Sequence, residues 1–167
     1  MATNRREGEM GRSDLANSSC PVSRAIERVG DPWVLMILRE AFVGTRRFDD
    51  FQAQTGASPH LLSQRLKQLC DDGILRRRRY CDHPPRFEYL LTDKGRGLWP
   101  VIITLRNWGQ EWLGGSSVRL THKGCGAVID PGLTCPDCGA ELSARDVVAE
   151  ISEDFEKERK HRKGGTE

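Results

Sequence analysis

Apolar residues recur along the first two thirds of the chain at spacings of three and four. Each run but that of Phe48 and Phe51 opens on a capping residue or a proline. Val22, Ala25, Ile26 and Val29 form one stripe behind Cys20-Pro21, where proline suits a first helical turn. Asp31-Pro32 repeats the start signal with Asp31 as cap. Trp33, Val34, Met36, Ile37 and Leu38 follow, too apolar for a surface helix, so this helix is predicted to be central. Phe48 and Phe51 anchor a short helix ending near Gly56. Ser58-Pro59 opens the next, which runs to about Asp72 with Leu62, Leu66 and Leu69 facing inward and Cys70 beside them; Gly73 stops it.

The period then changes. Ile74 to Tyr80 and Arg86 to Leu91 read as strands. Cys81-Asp82-His83-Pro84-Pro85 joins them, because two consecutive prolines do not fit a central strand. Short helix, compact turn, helix and hairpin have the proportions of a winged helix-turn-helix. Thr92 caps a predicted long helix carrying Leu98, Val101, Leu105, Trp108 and Trp112, again three and four apart. The simpler reading of that stripe is a seam for a second copy of the chain; burial within one domain is the alternative. Further on, Ser143 is expected to cap a final helix containing Val147, Val148 and Ile151, with a charged tail behind it.

The predicted fold class is therefore α+β. The expected order is a disordered polar arm over 1–18, a winged helix-turn-helix and dimerisation domain over 19–113, and a Gly-Ser linker over 114–117. A small ribbon-like module over 118–142 and a C-terminal helix with tail over 143–167 complete it.

Charge changes this picture only locally. The 167 residues carry a net charge of +2. From Cys20 to Arg96 there are fourteen Lys/Arg against ten Asp/Glu, whereas from Gly97 onward there are nine against eleven. A polyanionic partner should thus meet the first part of the chain. No apolar run has the length of a membrane helix or the form of a signal peptide. A soluble cytoplasmic protein without a membrane partner is expected, so the six cysteines are not read as a disulfide framework.

Two clusters carry candidate chemistry. In the first, His60, Ser63, Gln64 and Lys67 lie on the polar side of the Pro59–Asp72 helix, and Arg76, Arg77, Arg78 and Arg79 follow on the first strand. His83 and Arg86 fall at the wing tip. A major groove admits a helix whose side chains read base edges, while wing arginines hold phosphates of double-stranded DNA. A strand alternates its faces, so two of the four arginines are expected toward DNA and two toward acidic neighbours or solvent. Taken alone, the helix face could equally be a solvated surface.

The second cluster is His122-x2-Cys125-Gly126 and, nine residues on, Cys135-x2-Cys138-Gly139. One histidine and three cysteines suit tetrahedral ligation of one structural Zn(2+) per chain, with no open position for catalysis. Iron suits the same ligands, and reduced surface cysteines or a Cys135–Cys138 redox pair are the alternatives. No nucleophile with a base and an orienting group stands out, so no enzyme is expected.

The segments CPVSRAIERVGDPWVLMILRE, RRFDDFQ, SPHLLSQRLKQLCDDGIL and PPRFEYLLTDKGRGLWPVIITLRNWG, in this order, resemble the HxlR family of bacterial winged-helix transcriptional regulators. They cover about half of the chain. The resemblance implies a homodimer on an inverted-repeat operator, assembled through the N-terminal and post-wing helices. It puts the recognition helix at 59–72 and the wing at 74–91. Some members are similar to thiol sensors with a cysteine matching Cys20; a thiolate at a helix start is chemically reasonable, but simple packing at the domain's edge is the preferred reading of Cys20. The ribbon after Gly114 departs from the plain family pattern. A winged-helix and zinc-ribbon module that binds proteins of the transcription machinery remains the second reading. Neither an operator nor a small-molecule or oxidant effector can be named from the sequence.

Overall fold

The structure, a computed structural model, describes residues 15–115, 118–129 and 131–164, with side chains described to residue 161. It divides into two compact units, Met1–Leu35 with Ala149–Glu167 and Met36–Val148. The helices are α1 (Pro21–Val29), α2 (Pro32–Val43), α3 (Phe48–Thr55), α4 (Pro59–Asp71), α5 (Asp93–Arg96), α6 (Trp99–Leu113) and α7 (Glu153–Gly164). The strands are β1 (Leu75–Cys81) and β2 (Arg86–Leu91), and α2 spans the division between the units.

The first unit begins with Leu15–Ala16 helical. Most of the predicted arm lies outside the described residues, but its last residue, Ser18, is buried. Its hydroxyl donates to Glu158 Oε1 on α7 at 2.7 Å, and the Ser19 backbone N–H and hydroxyl donate to Glu158 Oε2 at 2.8 and 2.6 Å. The carboxylate thus ties the two ends of this unit together. Helix α1 starts on Pro21 as expected, yet Val22 and Ile26 of its apolar stripe stay exposed while Val29 is buried. Asp31 caps α2, its Oδ1 accepting from the N–H groups of Trp33 and Val34.

The predicted final helix is displaced. Ser143 does not start one: its N–H and hydroxyl both donate to Asp146 Oδ2, which closes a local turn instead. Val147, Val148 and Ile151 are exposed outside any helix. The helix starts ten residues later, behind Ser152, whose Oγ accepts from Phe155 N–H. Glu153, Asp154 and Glu156 fill its first turn, where negative charge complements the N-terminal end of the helix dipole.

In the second unit the core is the one read from the apolar periods. Ile37 and Leu38 of α2, Phe51 of α3, Leu62, Leu66 and Leu69 of α4, and Leu75 of β1 are fully buried. Helix α3 ends on Gly56 in the left-handed conformation at φ 70°, the tight exit that lets α4 begin three residues later. Ser58 caps α4, accepting from Leu61 N–H. Antiparallel β1 and β2 pair from Leu75↔Leu91 to Arg79↔Phe87, then slip by one residue so that Cys81 faces Arg86. A third segment joins this sheet: Arg47 bridges Glu88, and Tyr89 N–H donates to Arg46 O at 2.8 Å.

The single long helix expected after Thr92 is two helices. Thr92 caps the four-residue α5, and the chain turns through Gly97 and Leu98 before α6 begins. Leu98 is the half-buried N-cap of α6 and not a member of its outer stripe. Pro100 in the first turn of α6 has no N–H to continue the preceding helix, and Gly95 of α5 lies against the carbonyl of Ile74 at the base of the wing.

Candidate functional site

Helix α4 has two unlike faces. Leu62, Leu66 and Leu69 have 0% exposure, whereas His60, Ser63, Gln64 and Lys67 are all exposed on the other side. Burying three leucines fixes the rotation of the helix, and with it the direction of the four polar residues. They are not isolated. Gln64 Nε2 lies 2.9 Å from His60 Nε2 across one helical turn, and Lys67 Nζ is 2.6 Å from Asp71 Oδ2. The Asp71 carboxylate holds the Lys67 ammonium above its usual range.

The wing carries its arginines in three different states. Arg78 pairs with Glu88 on the facing strand, and Arg79 pairs with Asp82 while donating to the Cys81 and Asp82 carbonyls. Arg77 lies over the Phe87 ring at 3.9 Å. Arg76 at the base, with His83 and Arg86 at the tip, has no side-chain hydrogen bond or ion pair among the described residues. Acidic neighbours thus take two of the four consecutive arginines and an aromatic ring takes a third. The sequence reading passed over Arg47, which sits on the added edge of the sheet with its guanidinium 4.8 Å from the Tyr80 ring centre. A basic pair just before the short helix was the available signal.

On α6, Val101, Leu105, Trp108 and Trp112 are 46, 51, 54 and 67% exposed, while Ile103 on the opposite side is buried. Next to the stripe, Arg106 donates to Val118 O at 2.7 Å and to Asn107 Oδ1 at 2.8 Å, and Asn107 donates to Pro131 O at 3.0 Å. Both carbonyls belong to the segment that carries the candidate metal ligands.

That segment is an internal repeat of thirteen residues, LTHKGCGAVI at 120–129 and LTCPDCGAEL at 133–142. The backbone repeats with it. His122 N–H donates to Ala127 O and Gly126 N–H to His122 O, each at 2.8 Å; Cys135 N–H donates to Ala140 O at 2.8 Å and Gly139 N–H to Cys135 O at 2.9 Å. Thr121 bridges Val128, and Thr134 bridges Glu141. Gly126 and Gly139 take φ 73° and 72°, a conformation that other residues adopt at a cost. Each repeat is therefore a knuckle with its two ligand-type side chains on one turn. His122 Nδ1 lies 3.3 Å from Cys125 Sγ. Backbone N–H groups of Cys138 and then Asp137 hold the Cys135 thiol below its usual range. Two thiol or imidazole donors per turn, with amides aimed at the Cys135 sulfur, suit a tetrahedral soft-metal site in their chemistry. Among the described residues the ligands meet as two pairs, and no third His, Cys, Asp or Glu joins either pair at metal-holding distance.

Cys20 is the N-cap of α1 and is half-buried. The backbone N–H of Ser23, and next its hydroxyl, hold the thiol below its usual range, partly opposed by burial and by the Glu158 carboxylate. No helix among the described residues is long and apolar enough to cross a membrane.

Comparison with known proteins agrees with this geometry. The HxlR-like helix-turn-helix family matches residues 28–117. A relative from Mycobacterium tuberculosis strain H37Rv, the uncharacterized HTH-type transcriptional regulator Rv3095, is 43% identical over 87% of this chain and 96% of its own length. Such a match cannot stop at residue 117, so it takes in part of the segment beyond. The uncharacterized HTH-type transcriptional regulator sll1512 of Synechocystis is 39% identical over 56% of this chain and 70% of its own. The crystal structure of PA1607, described as a candidate transcription factor, superposes with a TM-score of 0.70 at 34% identity, covering 83% of this chain and 98% of that one. The redox regulator HypR in its oxidized form gives 0.52 at 30% identity, over 59% of this chain and 100% of its own. On the family match and on relatives aligned along nearly their whole length, this chain belongs to the HxlR-like helix-turn-helix family.

Proposed function

We propose that the protein is a sequence-specific transcriptional regulator that binds operator DNA as a homodimer. The observation that carries this reading is the two-faced α4: three fully buried leucines hold His60, Ser63, Gln64 and Lys67 outward as one polar row beside a basic wing. A side chain such as Gln64 can contact an adenine edge in two places, whereas Arg76, Arg86 and His83 suit phosphates. The exposed stripe of α6 supports self-association, since four large apolar residues in a row are rarely left to water. Two copies would present two α4 helices to two half-sites.

One structural zinc ion per chain, held by His122, Cys125, Cys135 and Cys138, belongs to the same reading. Its support is the duplicated knuckle and the donor set, and a module with so little buried apolar surface gains its folding energy from a metal. An oxidant sensor at Cys20 is a second reading, set against simple packing at the domain's edge, and its support is the position at the start of α1 with the thiol held below its usual range.

Selection of genomic fragments by the purified protein, followed by affinity titration, tests the function. Enrichment of a sequence with two related half-sites is expected. Retention of all fragments alike, or of none, would refute operator binding and favour the protein-binding module.

A further inference from the structure

The two carbonyls that α6 holds are equivalent positions of the internal repeat. Val118 and Pro131 are thirteen residues apart, and each stands two residues ahead of the Leu-Thr that opens a knuckle. Arg106 takes the first and Asn107 the second, and the two side chains are bonded to each other at 2.8 Å. One adjacent pair on a single helix therefore grips both halves of the ribbon at corresponding points. Arg106 and Asn107 are half-buried, while Leu105 and Trp108, the residues on either side, are exposed on the apolar stripe.

We propose that the ribbon is a metal-set brace for α6, and that metal loading strengthens self-association through Arg106 and Asn107. An ion shared by the two knuckles would fix the spacing between Val118 O and Pro131 O. Only at one spacing can the bonded Arg106–Asn107 pair reach both carbonyls. With the brace set, the middle of α6 is held at a fixed rotation and Leu105 and Trp108 are presented together. With the knuckles unjoined, the two carbonyls move independently, and at least one of these bonds must be given up. The coupling is reciprocal: association through α6 must tighten metal binding by the same factor. This inference rests on the metal and homodimer readings above.

The test compares wild type with Arg106→Met/Asn107→Ala, each as the full chain, with zinc loaded and after chelation. Zinc content is measured by elemental analysis and self-association by sedimentation over a concentration series. Hydrogen exchange along α6 gives a second readout that needs no association. For wild type, chelation should weaken self-association on the order of tenfold or more, within the ordinary range of coupling, and speed exchange around Leu105–Trp108. The double variant should keep one zinc per chain but show less than about a threefold response to chelation, as expected once that coupling is cut. Zinc bound and dimers formed, with no response in wild type or an equal response in the variant, would overturn the brace alone. Absence of bound metal, or a wild-type monomer at all concentrations, would overturn the brace together with the reading beneath it. If the double variant does not fold, Asn107→Ala alone, which cuts the hold on Pro131, must show the reduced response.

Discussion

Replacing Gly95 with alanine should damage the joint on which the wing turns. A Cβ at this position would lie 2.2 Å from the Ile74 carbonyl oxygen and 3.0 Å from Leu91 Cδ2. The leucine methyl can move aside. The carbonyl cannot easily do so, because it accepts from Thr92 N–H at 3.1 Å, while the Thr92 hydroxyl donates to Gly73 O at 2.7 Å and accepts from Gly95 N–H at 3.1 Å. Relief requires α5 to retreat by roughly an ångström, which stretches all three bonds. Overpacking alone costs about 1–3 kcal/mol, and each weakened hydrogen bond adds about 0.5–1.5 kcal/mol. A loss of about 3 kcal/mol is a large fraction of a typical stability of about 5–15 kcal/mol. For a chain of this size it lowers Tm by roughly 6–12 °C. Thermal unfolding followed by circular dichroism measures it, with zinc content matched between samples. Leu91→Ala/Gly95→Ala should not recover the loss, since the obstructing atom is backbone. A Gly95→Ala protein within about 0.5 kcal/mol of wild type, the range of an ordinary surface substitution, or full rescue by Leu91→Ala, would refute the reasoning.

Gln64→Ala should change preference at one base position by about 1–3 kcal/mol, while Arg86→Ala should weaken operator and scrambled DNA alike and lower the salt slope by about 1; titrations at three salt concentrations separate them, and the reverse pattern would exchange reader and clamp. Protein purified without added metal should contain about one zinc per chain, as one tetrahedral ligand set implies, and Cys125→Ser or Cys138→Ser should lose it; a metal-free ribbon that still resists protease would refute the site. Leu105→Glu/Trp108→Glu should yield monomers by sedimentation while the circular dichroism of the helices persists; an intact dimer would move the interface elsewhere. Cys20 has its thiol pKa lowered by the Ser23 N–H, whereas burial raises that of Cys70. The thiolate is the alkylating form, so site-resolved alkylation of Cys20 should fall away at lower pH than that of Cys70; the opposite order would refute the assignment, and oxidation that weakens DNA binding equally in Cys20→Ser would leave Cys20 a packing residue.

The sequence by itself determined the elements whose signals are local. Alternating apolar spacing, Pro21 and Pro32 in first turns, the Asp31 and Ser58 caps, and Gly56 and Gly73 at helix ends each act within a few residues, so α1 to α4 and the hairpin were legible before any coordinates. The two faces of α4 followed from the same spacing, since burying Leu62, Leu66 and Leu69 leaves His60, Ser63, Gln64 and Lys67 no other direction. Tertiary structure decided what depends on contacts between distant residues. The span from Thr92 to Trp112 reads as one long helix, but the chain turns at Gly97 and Leu98, which leaves Leu98 as the N-cap of α6 and off its outer face. Ser143 looks like a helix cap until Asp146 is seen to accept both of its donors. The end of the polar arm was unreadable as structure, because the buried Ser18 donates its hydroxyl to Glu158, 140 residues away. Four arginines are equivalent as a string, yet Glu88, Asp82 and Phe87 give three of them different partners. The grip of Arg106 and Asn107 on Val118 and Pro131 belongs with these, for hydrogen bonds to backbone carbonyls leave no mark on the residue types that accept them.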